Sequence, residues 1–143
     1  VLTIIRESWS WTGLDPTTVT ATNEFGNVIV RATDGAYWRI CPEELTCEIV
    51  ARDEAAFNAL WASEEFQLDW QMTRLVGLAR AALGPVSGER CYCLKRPAVL
   101  GGAYEAANLS TIARLELLAF TGNVAEQIKD LPDGASVKFD WMK

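Results

Sequence analysis

A chain of 143 residues in which half are apolar and six are tryptophan can bury a core as one domain without leaning on disulfides or a metal. It excludes disorder, and no apolar run approaches the ~20 residues a membrane-spanning helix needs. Nineteen acidic against thirteen basic residues leave a net charge of -6, which argues against a nucleic-acid surface and permits a basic protein partner.

The opening VLTII is too short for a signal-peptide core and runs directly into Arg6-Glu7, so nothing in it directs export. Between Glu7 and Pro16 an extended path would set Trp9 and Trp11 on one side. Those indoles either cap an open end of the core or form a partner-binding aromatic patch.

Residues 17–51 organise the chain. Four β-rich runs, 17–22, 27–33, 36–41 and 45–51, are cut by turn residues and read as an antiparallel meander. Asp34-Gly35 predicts a two-residue turn with positive φ at both central positions. The implied register sets Arg31 opposite Trp38 and Ile29 opposite Ile40 on one face. Ala32-Tyr37, Val30-Arg39 and Val28-Cys41 pair on the other. Arg31 would then make a cation–π contact with Trp38. Both faces carry apolar side chains, so helices must cover at least one and something must shield the other.

Residues 52–83 read as helices. Asp53 caps the first, which runs through Trp61; the looser acidic stretch 63–69 follows, and a helix over 70–83 is stopped by Gly84-Pro85. A fifth strand at 91–94 leads into a Gly-Gly loop ending at Gly102, which lacks the spacing of a phosphate-binding loop. Residues 108–131 read as two further helices, the second started by a capping box at Asn123. Val137, Phe139 and Trp141 alternate as in a strand over 135–142. The expected fold is therefore α+β: a single domain over 1–143 in which an antiparallel β-meander sheet packs with several α-helices.

Functional chemistry is sparse. Without histidine, Ser-His, Cys-His and HExxH sites are excluded, and Glu43-Glu44 and Glu64-Glu65 have no spacing that distinguishes an acid from a base. No enzyme and no cofactor are expected. Cys41, Cys47, Cys91 and Cys93 lack zinc-knuckle spacing and read as buried, reduced thiols.

The strings Trp11-Thr-Gly-Leu-Asp-Pro16, Phe25-Gly-Asn27, Gly35-Ala-Tyr-Trp-Arg-Ile-Cys-Pro-Glu-Glu-Leu45, Gln67-Leu-Asp-Trp70, Cys91-Tyr-Cys93 and Pro97-Ala-Val-Leu-Gly-Gly102 followed by Ala107-Asn-Leu109 are similar to one family. It is the type VI secretion DNase-immunity family, whose domain also occurs behind a GAD-like domain. The chain resembles a stand-alone version over residues 9–131. The resemblance implies a cytoplasmic immunity protein that binds and inhibits a secreted nuclease toxin of the producing cell, with no direct contact to nucleic acid or membrane.

Because a nuclease surface must be basic, the candidate toxin contacts are Glu43, Glu44 and Glu48 at one end of the sheet and Glu64, Glu65 and Asp69 between the helices. Trp9 and Trp11 are the candidate aromatic anchors. Arg39 and Glu43 are the candidates for an internal ion pair. The alternative is a small-ligand or regulatory module with a pocket lined by Tyr37, Arg39, Cys41 and Tyr92.

Overall fold

A computed structural model describes residues 1–131, so the strand expected at 135–142 lies outside the described residues. Four strands, β1 (Pro16–Thr22), β2 (Val28–Ala32), β3 (Tyr37–Cys41) and β4 (Thr46–Ala51), form an antiparallel sheet in the order β1-β2-β3-β4. Asn23 shapes the first turn, its Oδ1 accepting from the Phe25 and Asn27 amides at 3.0 Å each. Pro42 ends β3 as expected and starts a single 3-10 turn over Pro42–Glu44.

The β2–β3 turn differs from expectation by one residue. Ala32 N donates to Ala36 O at 2.8 Å and Gly35 N to Ala32 O at 3.0 Å, which encloses a three-residue loop, Thr33 to Gly35. Gly35 sits at φ +89, and Asp34 Oδ1 accepts from Ala36 N at 3.0 Å. Asp-Gly suits this loop as well as the two-residue one, because both need a left-handed glycine. The slip exchanges the faces: Val30 lies opposite Trp38 and Arg31 opposite Tyr37. Accordingly the Arg31 guanidinium stands 5.8 Å from the Tyr37 ring rather than over Trp38.

Each face has its own helices. Val28, Val30, Ala32 and Ile40 pack against α1 (Leu2–Trp9) and α5 (Arg114–Ile128) through Ile5, Trp9, Leu118, Val124 and Ala125. Helix α1 replaces the extended segment expected there. No side chain caps it, so its order comes from packing on α5. The helices approach closely at Gly122, where a Cβ would lie 2.5 Å from Ser8 O. On the opposite face Ile29, Tyr37 and Ala51 meet α2 (Glu54–Trp61) and α3 (Glu64–Gln71) through a ring stack of Tyr37, Phe57, Trp61, Phe66 and Trp70.

Asp53 and Ser63 cap α2 and α3. The acidic stretch is thus helical, and Met72, at φ 48, separates it from α4 (Thr73–Leu83). Beyond α4, β5 (Arg90–Leu94) pairs antiparallel with β6 (Leu109–Ala113), so a strand occupies the start of a region read as helical. Tyr92 and Leu94 face α4 while Cys91 and Cys93 face Leu117 of α5. Helix α5 is continuous where two helices were expected, and Asn123 accepts from Gln127 within it at 2.7 Å instead of capping a new one. The result is an α+β fold with a four-stranded and a two-stranded antiparallel sheet.

Candidate functional site

Helices α2 and α3 cover only part of their face of the four-stranded sheet. The remainder, around Arg39, Cys41, Thr46, Glu48 and Val50, forms the floor of a groove of about 680 Å³. Its far wall is Leu68 and Asp69 of α3 followed by the start of α4, and Tyr104 stands at its mouth. Leu68 is 67% exposed, so the rim combines an aliphatic side chain and a phenol with the carboxylates of Glu44, Glu48 and Asp69.

Beneath the floor runs a buried polar relay. The Asn27 side-chain amide donates to both Glu43 carboxylate oxygens, at 3.0 and 2.9 Å, and its carbonyl accepts from Arg39 Nε at 3.0 Å. Cys41 Sγ donates to Glu43 Oε1 at 2.9 Å. Arg39 in turn donates from Nη1 to Asp69 Oδ2 at 2.5 Å, with its guanidinium 5.1 Å from the Trp70 ring and 5.9 Å from Phe66. Sheet and α3 are thereby tied together across the groove. Burial pushes the Glu43 carboxyl above its ordinary range, against the Cys41 and Asn27 hydrogen bonds and the Arg39 charge. Burial likewise pushes the Cys41 thiol well up, with the Glu43 charge adding to it.

Tyr104 is held in place by the Gly-Gly loop. Asn108 accepts from Arg96 N at 3.0 Å and donates to the carbonyls of Arg96 and Ala103 at 3.0 and 2.9 Å. A Cβ on Gly102 would lie 1.8 Å from Arg96 O, so only glycine fits there. The loop is a rigid support, and Tyr104 Oη donates from it to Glu44 Oε1. Partial burial and that carboxylate raise the phenol above its ordinary range.

The groove unites Glu44, Glu48 and Asp69 from the two acidic clusters singled out in the sequence. Glu64 and Glu65 stand apart, exposed in the first turn of α3, where they oppose the helix dipole. Glu43 also lines the groove but is only 5% exposed, its carboxylate being held in the relay. Its expected ion pair with Arg39 is replaced by a connection through Asn27, and Asp69 takes the guanidinium.

Trp9 is fully buried, donates to Leu118 O at 3.0 Å and stacks on half-buried Trp11 with centroids 6.0 Å apart. Trp11 donates to Ser8 O and Gly122 O, at 2.9 and 3.2 Å. Both indoles close the core between α1 and α5 and form no exposed patch. The four-residue pocket also dissolves. Arg39 and Cys41 line the groove, Tyr37 is stacked on Phe57, and Tyr92 is buried with its hydroxyl on Gly84 O at 2.6 Å. All four cysteines are free thiols; burial lifts Cys47 and Cys91 to about 11 and Cys93 to about 12, which suppresses their reactivity. Among the described residues no cluster of three or more His, Cys, Asp or Glu could hold a metal, and no helix is long and apolar enough to cross a membrane.

The family model described as "T6SS immunity protein Tdi1, C-terminal" matches residues 51–125, more than half of the chain. The chain belongs to this family. It is therefore assigned to the immunity proteins of type VI secretion. No curated protein matches it.

The family match begins at the last residue of β4 and ends within α5. It contains the α3–α4 wall and the Tyr104 loop, whereas Glu44 and Glu48 lie before it. Tyr104, Leu68 and Asn27 were not anticipated as site residues. The string from Pro97 to Leu109 was the available signal for Tyr104, since Gly102 and Asn108 are the residues that set its loop.

Proposed function

We propose that this protein neutralises a secreted nuclease toxin in the cytoplasm of the producing cell, by seating a basic surface of the toxin in the groove between β3–β4 and α3–α4. The observation that carries this reading is the convergence of Glu44 and Glu48, neither in a salt bridge among the described residues, with Leu68 and Tyr104 around an open part of the sheet face; Asp69 there is paired with Arg39, and Arg74 lies on the α4 wall. A surface that grips phosphates is positively charged, and an acidic partner covering it excludes the nucleic acid. Family membership supports a toxin partner, and the net charge of -6 supports a basic one. The protein acts as a stoichiometric inhibitor with no catalytic step of its own.

In this reading Leu68 and Tyr104, together with Glu44 and Glu48 covered beside them in the complex, set its lifetime. Glu64 and Glu65, outside the groove, steer the encounter. Protection against a toxin made in the same cell calls for nanomolar affinity, about −12 kcal/mol, within reach of a standard interface of roughly 1,600 Å². The reading predicts that the adjacent reading frame encodes a nuclease toxin, and the test is titration of that toxin's DNA cleavage with this protein. Cleavage should end at one equivalent of this protein, and the protein alone should neither cut nor shift DNA at physiological salt. Undiminished cleavage at excess protein would contradict the reading.

A further inference from the structure

The two edges of the four-stranded sheet are built differently. β1 opens on Pro16, shifts register between Pro16 and Thr18 and again between Val19 and Ala21, and its first carbonyl accepts from Arg6 Nη2 at 3.0 Å. Proline, bulges and a capped main chain all blunt an edge against further pairing. β4 shifts register once, between Ile49 and Ala51, but carries no proline, and over Thr46 to Ile49 it pairs without a shift against Cys41 back to Trp38. Among the described residues no hydrogen bond from outside the ladder reaches the β4 main chain.

An antiparallel edge strand turns the N–H and C=O of every second residue away from its partner. Along β4 those groups border the groove, whose floor carries the alternate side chains Thr46, Glu48 and Val50. Ile49, between them, is 43% exposed. We infer that β4 is a docking edge, and that an extended segment of the toxin pairs with it as a fifth strand. This rests on the immunity reading above.

Charge selects the occupant. Neither Glu44 nor Glu48 is in a salt bridge among the described residues, and both stand on the groove side of the edge. A partner strand with lysine or arginine at alternate positions would bring those side chains to Glu48 and Glu44, with apolar residues between them against Ile49. A second copy of this chain is the poorer fit, because antiparallel pairing of two β4 strands brings Glu48 near its own counterpart and like charges oppose pairing. Main-chain bonds then supply affinity and the alternating side chains specificity.

The experiment is amide hydrogen exchange on this protein, free and saturated with the adjacent-frame toxin whose own active site has been inactivated. The expected result is exchange slowed by about tenfold or more at alternate residues of β4, with β1 unchanged. A second measurement places proline singly at Cys47, Glu48 and Ile49. A variant that retains the wild-type Tm, having lost only an outward N–H, should bind the toxin at least about tenfold more weakly. A complex that forms with β4 exchanging as in the free protein, or folded proline variants that bind like wild type, would overturn the docking edge and leave the immunity reading standing. Protection of β4 that grows with the protein's own concentration would overturn it in favour of self-pairing. Absence of any complex would overturn both.

Discussion

The two faces of the four-stranded sheet use the same strands for opposite ends. Side chains at Val28, Val30 and Ile40 point into a closed layer beneath α1 and α5, while Ile29 and Arg39, each one residue away, point with Tyr37 to a face that α2 and α3 leave partly open. Successive residues of a strand face opposite ways, so stability and binding alternate along β3 and β4. Substitutions on the closed face should change folding with little effect on recognition, and those on the open face the reverse.

The largest expected effect is on the closed face. Trp9→Ala removes a fully buried indole and its bond to Leu118 O, and should cost about 3–5 kcal/mol of unfolding free energy in denaturant titration. Ile40→Ala should cost about 2–5 kcal/mol. In either variant the folded fraction should bind toxin as wild type does; a loss of affinity beyond the loss of folded protein would break the division between faces.

The relay lies between stability and site, and pH sharpens that distinction. Asn27 is fully buried and joins Glu43 to Arg39, so Asn27→Ala should cost about 1–3 kcal/mol by leaving both partners short of a hydrogen bond. Glu43 has a folded pKa above its unfolded value, so between the two the native state holds more protons. Its contribution to stability must fall as pH rises from the ordinary carboxylate range through the raised folded pKa, and then level off. Glu43→Gln should remove that part of the pH dependence. Superimposable Tm-versus-pH curves for the two proteins would show that Glu43 does not titrate in this way.

Stability effects on the open face should be smallest. Asp69 is 69% exposed, and Asp69→Ala should cost under about 1 kcal/mol despite its contact with Arg39. Double-mutant cycles with Arg39→Ala measure that coupling. A value of several kcal/mol would move Asp69 from the groove wall into the structural frame.

The first five strands were legible because turn residues separate them, whereas β6 fell in a stretch read as helical; Asp53 marked the start of α2 because its carboxylate has a local task. Register was not legible, since Asp34-Gly35 serves two loop lengths that place opposite side chains on each face. Helix α1 was hidden because VLTIIRES has β-branched residues and no cap; Trp9 and Ile5 order it only through contact with α5. Asn123 resembled the cap of a new helix, yet α5 runs through it, and Gly122 beside it admits Ser8. The acidic residues were visible one by one, but their sorting was not. It depends on α3 folding back beside β4, which brings Asp69 to Glu48 and leaves Glu64 and Glu65 elsewhere.

Charge reversal compares those two acidic sets directly. Surface-capture kinetics with the adjacent-frame toxin should be measured at two salt concentrations for Glu44→Lys/Glu48→Lys and for Glu64→Lys/Glu65→Lys, each verified as folded by its Tm. The groove pair should weaken binding by about a hundredfold or more, mainly through faster dissociation. The α3 pair should slow association, lessen its salt dependence and leave dissociation nearly unchanged. Wild-type dissociation from the groove variant, with the large loss appearing in the α3 variant, would contradict the assignment of the open sheet face as the toxin site.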